Sequence, residues 1–219
     1  MMKRARSAWV GAWRSATAVS WMETRKDKTM NDAEVLKVLE ETGALLNGHF
    51  ELRSGLHSNR FFQCANVLRY PRVAGRLCEE LVARLPGKLD LGALDGVISP
   101  ALGGILVGHE VARTLDTPCV FAEKQEGRLV MRRFTLRPGQ RYVVAEDVIT
   151  RGGRVQETID IVKAAGAEVV AVLVMVDRSA GQAHFDYPTF SLLQMAPEVW
   201  EPAACPMCAR NEPCVHPGS

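Results

Sequence analysis

Residues 143–166, V-V-A-E-D-V-I-T-R-G-G-R-V-Q-E-T-I-D-I-V-K-A-A-G, constrain the fold more than any other stretch. An apolar run ends on two acids, a glycine pair follows, and from Arg154 the residues Val155, Ile159 and Val162 recur at helical spacing until Gly166, placed as a C-terminal cap. This is a strand, a tight loop and a helix, with Glu146 and Asp147 closing the strand. The loop Thr150-Arg151-Gly152-Gly153 presents backbone N–H groups at a helix N-terminus, a standard way to hold phosphate. Two carboxylates beside it would repel a bare phosphate, so they need sugar hydroxyls, a bound cation, or both. A phosphorylated ribose fits. The glycines follow neither the dinucleotide pattern G-x-G-x-x-G nor the Walker pattern ending in G-K-[ST].

The rest of the chain builds an α/β domain around this unit. Asn31 or Asp32 caps a first helix with Val35, Leu39 and Leu46 along one side, and Gly43 weakens its last turn. Short strands are expected at 49–53 and 60–64, around a turn at 54–59. Pro71 opens a helix whose face carries Val73, Ala74, Leu77, Cys78, Leu81, Val82 and Leu85, stopping at Pro86-Gly87. Strands follow at 96–99 and 118–122, with a helix at 104–115 between them, and 168–176, apolar nearly throughout, reads as a strand buried on both faces. Right-handed crossovers then place Ser99, Ala122, Glu146 and Asp177 on one rim of a mostly parallel sheet. The second glycine loop, Ser99 to Ile105 with Gly103 and Gly104, leaves a strand for a helix on that rim and suits a second anionic group. Residues 123–134 carry Lys124, Arg128, Arg132 and Arg133 around one glycine, a basic β-hairpin flap.

Residues 143–154 resemble the 5-phosphoribosyl 1-diphosphate (PRPP) signature of the phosphoribosyltransferases: strand, two acids, short glycine loop, helix. Within that family, 50–64 (F-E-L-R-S-G-L-H-S-N-R-F-F-Q-C) resembles the N-terminal L-[KR]-S-G-x-x-S-x-x-F-F region of orotate phosphoribosyltransferases, and Val176-Asp177-Arg178-Ser179 resembles their D-R element. The resemblance runs from about Asn31 to the C-terminus. It implies a central mostly parallel sheet flanked by helices, a small N-terminal α+β hood and the flap. It also implies transfer of ribose 5-phosphate from PRPP to orotate with Mg²⁺, in pyrimidine biosynthesis. Glu146, Asp147 and Lys124 are then the catalytic residues, and the backbone from Val148 through Ile149, Thr150, Arg151, Gly152 and Gly153 to Arg154 takes the 5′-phosphate. Arg53, Gly103, Gly104, Lys124, Arg128 and Arg132 complete the PRPP contacts; Thr150, Arg178, Phe61 and Phe62 face orotate. Mg²⁺ is held mainly by PRPP and water. Gly103 stands where many members have a lysine, and the flap is shorter than theirs. Family members form homodimers with shared sites, which is expected here. The alternatives are a purine phosphoribosyltransferase and a non-catalytic PRPP-sensing regulator.

Composition narrows the partners and the compartment. Residues 1–30 hold seven Lys/Arg against two acids, so of the net charge of +2 the remainder carries −3, which gives no reason to invoke nucleic acid. No apolar run reaches membrane-spanning length. Residues 1–29 read as a poorly ordered extension before a single domain, 30–219: helix and hood strands to 70, core 71–195, Pro/Cys-rich tail 196–219. Six cysteines without a secretory signal point to reduced thiols in the cytoplasm, with Cys64, Cys78 and Cys119 as buried small hydrophobes. Cys205, Cys208, Cys214 and His216 in the tail have ligand types suited to Zn²⁺; a Cys205–Cys208 disulfide is the alternative.

Overall fold

The computed structural model describes residues 29–87, 89 and 91–217. Except for Thr29, the expected N-terminal extension lies outside them. Helix α1 (Asp32–Glu41) starts at a reciprocal cap: the Glu34 N–H donates to Asn31 Oδ1 and the Asn31 N–H to Glu34 Oε2. Such a box stabilises a helix by about 1 kcal/mol. The helix ends earlier than Leu46 because Thr42 caps it and Gly43 turns the chain at φ +70°.

Strands β1 (Leu45–Glu51) and β2 (His57–Phe62) therefore begin sooner than expected, and the turn between them closes at Leu52–Leu56. With β9 (Val199–Trp200), they form a three-stranded antiparallel hood. A short helix α2 (Ala65–Leu68) leads into α3 (Pro71–Ala83), which buries Val73, Ala74, Leu77, Cys78 and Leu81. Its buried Glu80 is paired with Arg76 at 2.7 Å and accepts from the Met30 N–H, so the start of the described chain is tied to α3.

The main sheet contains β3 (Gly96–Pro100), β4 (Cys119–Gln125), β5 (Arg128–Val130), β6 (Arg141–Ile149), β7 (Glu168–Asp177) and β8 (Thr189–Gln194), in the order β5-β4-β3-β6-β7-β8. All neighbours are parallel except β4 and β5. Alternate residues of the central strands face two cores. Val97, Val143, Leu173 and Met175 pack with α1, α3 and Val107 and Val111 of α4 (Gly103–Thr114). Ile98, Val144, Val172 and Val174 pack with Val155, Ile159 and Val162 of α5 (Gly153–Ala164). The sheet is thus covered on both faces, which is why β7 is apolar almost throughout.

This topology positions the site. The chain leaves β3 for β4 on one side and later returns to β6 on the other, so β3 and β6 form the switch point of the sheet. Their outgoing loops open helices on opposite faces and leave a crevice between them. Beyond the rim, β4 continues into a hairpin with β5, pairing Lys124 with Leu129 across the turn Glu126-Gly127, where both φ angles are positive. The ladder is shorter than the expected flap, since 131–140 add no strand or helix.

Candidate active site

Glu146 and Asp147 stand at the end of β6, at the mouth of the crevice. Glu146 is 3% exposed. Burial, then the charge of Asp147, pushes its carboxyl up to about 9, while Arg154 pulls the other way. The backbone around the pair curls onto it: the Asp147 N–H donates to Glu146 Oε1 at 3.0 Å and the Val148 N–H to Asp147 Oδ1 at 2.9 Å.

The two glycine loops close on these acids. A Cβ on Gly103 would lie 2.5 Å from Asp147 Oδ2, and one on Gly104 would lie 2.9 Å from Glu146 Oε1. Glycine at 103 therefore lets the β3–α4 loop approach the carboxylate, and a side chain there would displace it. That loop contains a cis peptide between Ala101 and Leu102. From the other side, Arg154 Nη1 donates to Ala101 O at 3.1 Å and links the two loops. Thr150, Arg151, Gly153 and Arg154 are exposed, and the first turn of α5 has no side-chain cap, so its N–H groups stay open to a ligand. Gly152 adopts φ +79° with Phe185 packed where a Cβ would stand, which fixes the loop entering the helix.

A cationic, aromatic pocket wall adjoins the acids. Arg178 leaves β7 with its N–H bonded to Ile149 O, and its guanidinium lies over the Phe62 ring at 5.2 Å. Its buried Nε has no hydrogen-bond partner among the described residues, and burial lowers its pKa. A half-buried guanidinium with a buried, unpartnered Nε calls for an anionic partner. Cys64 bridges the two halves: its thiol reaches toward Asp147 O at 3.8 Å and feels both acids and Arg178. Burial keeps that thiol neutral. Read from sequence as a small hydrophobe, Cys64 turns out to line the junction between acids and guanidinium; only its adjacency to Phe62 hinted at this. Ile149 is buried behind the loop. Phe61 lies on the other face of β2 and packs with Phe50, away from Arg178.

The remaining candidates are more dispersed. Lys124, Arg128 and Arg132 are exposed on or just after the hairpin, whose Leu129 N–H donates to Glu157 of α5; Arg133 is instead paired with Glu123 at 3.0 Å. Arg53 is exposed in the β1–β2 turn. Cys78 is buried as expected, whereas Cys119 is only half-buried. In the tail, Cys214 is exposed and His216 points to Glu51 at 4.0 Å, so these two do not complete a tetrahedron with Cys205 and Cys208. Both lie on a segment held along β1, where the Val215 N–H donates to His49 O.

Residues 72–207 match the family model described as the phosphoribosyl transferase domain. The orotate phosphoribosyltransferase of Desulforamulus reducens is 47% identical over 87% of this chain and 98% of its own length. The chain belongs to the orotate phosphoribosyltransferase family. That of Heliobacterium modesticaldum is also 47% identical, over 87% of this chain and 99% of its own. Among solved structures, orotate phosphoribosyltransferase from Aeropyrum pernix superposes with a TM-score of 0.62 at 25% identity, covering 74% of this chain and 93% of that one. At Gly103 the close approach of Asp147 leaves no room for a side chain.

Proposed function

We propose that the chain transfers the 5-phosphoribosyl group of PRPP to a ring nitrogen of orotate, forming orotidine 5′-monophosphate and diphosphate, in pyrimidine biosynthesis. The observation that carries the choice of acceptor is Arg178, a half-buried guanidinium whose buried Nε lacks a partner among the described residues while its Cζ lies over the Phe62 ring. Orotate offers a carboxylate for the first and a flat ring for the second. A purine base has no carboxylate, and would leave Arg178 unpaired.

In this reading, the 5′-phosphate rests on the backbone from Val148 to Arg154, and Glu146 and Asp147 take the ribose hydroxyls. Departure of diphosphate from the anomeric carbon develops oxocarbenium-like positive charge on the sugar, and the acid pair beneath it stabilises that charge. Orotate is already an anionic nucleophile, so no strong base is required. Alignment of its nitrogen with the anomeric carbon, and exclusion of water by the flap, supply the rest. Lys124, Arg128 and Arg132 are the cations proposed to meet the diphosphate, with Gly103 and Gly104 contributing backbone N–H groups.

The hard oxygen donors of Glu146 and Asp147 fit Mg²⁺, since neither carboxylate has a cationic partner at ion-pair distance among the described residues and Glu146 is driven to hold a proton instead. With PRPP bound, Glu146 and Asp147 would hold this ion together with its waters, and it would supply charge neutralisation for the leaving diphosphate. A cytoplasmic location agrees with six cysteines that are all free. Among the described residues no helix is long and apolar enough to cross a membrane. A homodimer is favoured by Leu102, 82% exposed, and Leu106, one turn on along the same face of α4.

The test follows orotate's ultraviolet absorbance with PRPP and Mg²⁺, with adenine and hypoxanthine as competing acceptors. Native protein should consume orotate alone. Arg178→Ala should raise the KM for orotate by roughly 10²-fold or more while leaving PRPP binding within a few-fold, the expected consequence of removing a charged recognition group. Unchanged orotate KM in that variant would refute the acceptor assignment.

A further inference from the structure

Away from the crevice, the hood and the tail bring four ligand-type side chains together: His49 of β1, His57 at the start of β2, and Cys205 and Cys208 flanking and within helix α6 (Pro206–Ala209). Their nearest ligand atoms all lie within 4.8 Å of one another. His49 Nε2 is 2.7 Å from His57 Nδ1, 3.5 Å from Cys205 Sγ and 3.6 Å from Cys208 Sγ; Cys208 Sγ is 3.2 Å from His57 Nδ1. A tetrahedron with Zn–S near 2.3 Å and Zn–N near 2.05 Å has S···N edges of about 3.6 Å and N···N edges of about 3.4 Å. The two distances from His49 Nε2 to sulfur match that figure, the Cys208 Sγ to His57 Nδ1 distance of 3.2 Å falls about 0.4 Å short of it, and the two nitrogens need to part by about 0.7 Å.

The surroundings favour a metal over an accidental cluster. His49, His57 and Cys205 are buried, at 4%, 9% and 2% exposure, while Cys208 is half-exposed and leaves a path for entry. His49 Nδ1 lies 3.0 Å from Glu212 O; the ring N–H donates to that carbonyl, so Nε2 turns its lone pair into the cluster. This is the outer contact that orients ligating histidines. Both cysteines are free, with no disulfide between them.

The geometry points to a structural Zn²⁺ site formed by His49 Nε2, His57 Nδ1, Cys205 Sγ and Cys208 Sγ. Four protein ligands leave no open position, so the site is closed and its role is to hold structure. What it joins is the tail and the two long strands of the hood. Around the cluster the tail pairs with β2 through His57 with Trp200 and Ser58 with Val199, and with β1 through Val215. The metal would bolt that tail to β2, the strand that also carries Phe62.

The full-length chain, expressed with zinc and purified under reducing conditions without chelator, should contain one zinc per chain by elemental analysis. Replacing Zn²⁺ with Co²⁺ should give the visible bands of a tetrahedral site and a near-ultraviolet thiolate-to-cobalt band. Cys208→Ser and His57→Gln should each lose most of the metal, whereas Cys214→Ser and His216→Gln should keep all of it. Stripping the metal from the native chain should lower its melting temperature by several degrees, restored by added Zn²⁺. A native chain that takes up neither zinc nor cobalt overturns the site even if a ligand variant fails to fold. Loss of metal in Cys214→Ser, or a Cys205–Cys208 disulfide in freshly isolated reduced protein, overturns it as well.

Discussion

A carboxyl buried as deeply as Glu146, beside a second carboxylate, binds its proton more tightly in the folded chain than in the unfolded one. Its pKa rises from 4.5 to about 9, with burial the larger cause and Asp147 the next. Between those values the native state holds more protons than the unfolded state, so the contribution to stability is complete below about 4.5 and is lost as pH rises toward 9. Chemical denaturation of the ligand-free protein at a series of pH values should therefore show stability falling through the neutral range. Glu146→Gln, which keeps the shape of the neutral acid, should flatten that slope and should also slow catalysis. A native slope as flat as the variant's would show that Glu146 is ionised in the folded, ligand-free chain. The same residue explains why the site awaits ligand: only hydroxyl donors or a cation make its charged form comfortable at that depth.

At the scale of elements, two glycines illustrate different demands of the loops. Gly152 has φ +79°, and a Cβ there would be 2.8 Å from Phe185, so Gly152→Ala meets both backbone strain and a clash. A cost of about 1–3 kcal/mol is expected, read as a lower melting temperature together with a raised KM for PRPP. Gly103 has no positive φ to protect; its added methyl would strike the Asp147 carboxylate. Gly103→Ala should accordingly lower kcat/KM strongly with a smaller change in melting temperature. Equal thermal losses in the two variants would remove the distinction. The β6 to α5 unit was legible in sequence because its strand, acids, glycine loop and Gly166 stop are contiguous, and the structure reproduces each. The hood was read with shifted strands, since Asn47 and Gly48 conceal the start of β1, where the pairing register breaks. The edge strand β8 was missed: its T-F-S-L-L-Q run follows a long loop and draws its order from pairing with β7. Half of the proposed metal set was invisible for the same reason, because His49 lies 156 residues from Cys205 and His57 lies 151 from Cys208. No spacing rule joins ligands that only the folded sheet brings together.

At the scale of the whole molecule, the acids and the flap cations sit on different elements of one chain, which raises the question of whose flap serves whose site. Asp147 is fixed at the switch point by β6, but the hairpin with Lys124, Arg128 and Arg132 projects past the rim, where its Leu129 N–H donates to Glu157 of α5. The exposed pair Leu102 and Leu106 stands on the β3–α4 loop and the first turn of α4, so a second copy docked there would bring its own hairpin close to this crevice. Subunit mixing separates the possibilities. One inactive variant carries Lys124→Ala, Arg128→Ala and Arg132→Ala together; the other carries Asp147→Asn. If the flap acts within its own chain, every mixed dimer has one defect in each site, and mixing restores nothing. If the flap crosses to the neighbour, each mixed dimer has one site with both defects and one with none. Random exchange makes half the dimers mixed, so activity should return to roughly a quarter of native. We expect that recovery, and expect Leu102→Glu, which places a charge in the apolar contact, to prevent it while shifting the protein toward monomer in light scattering.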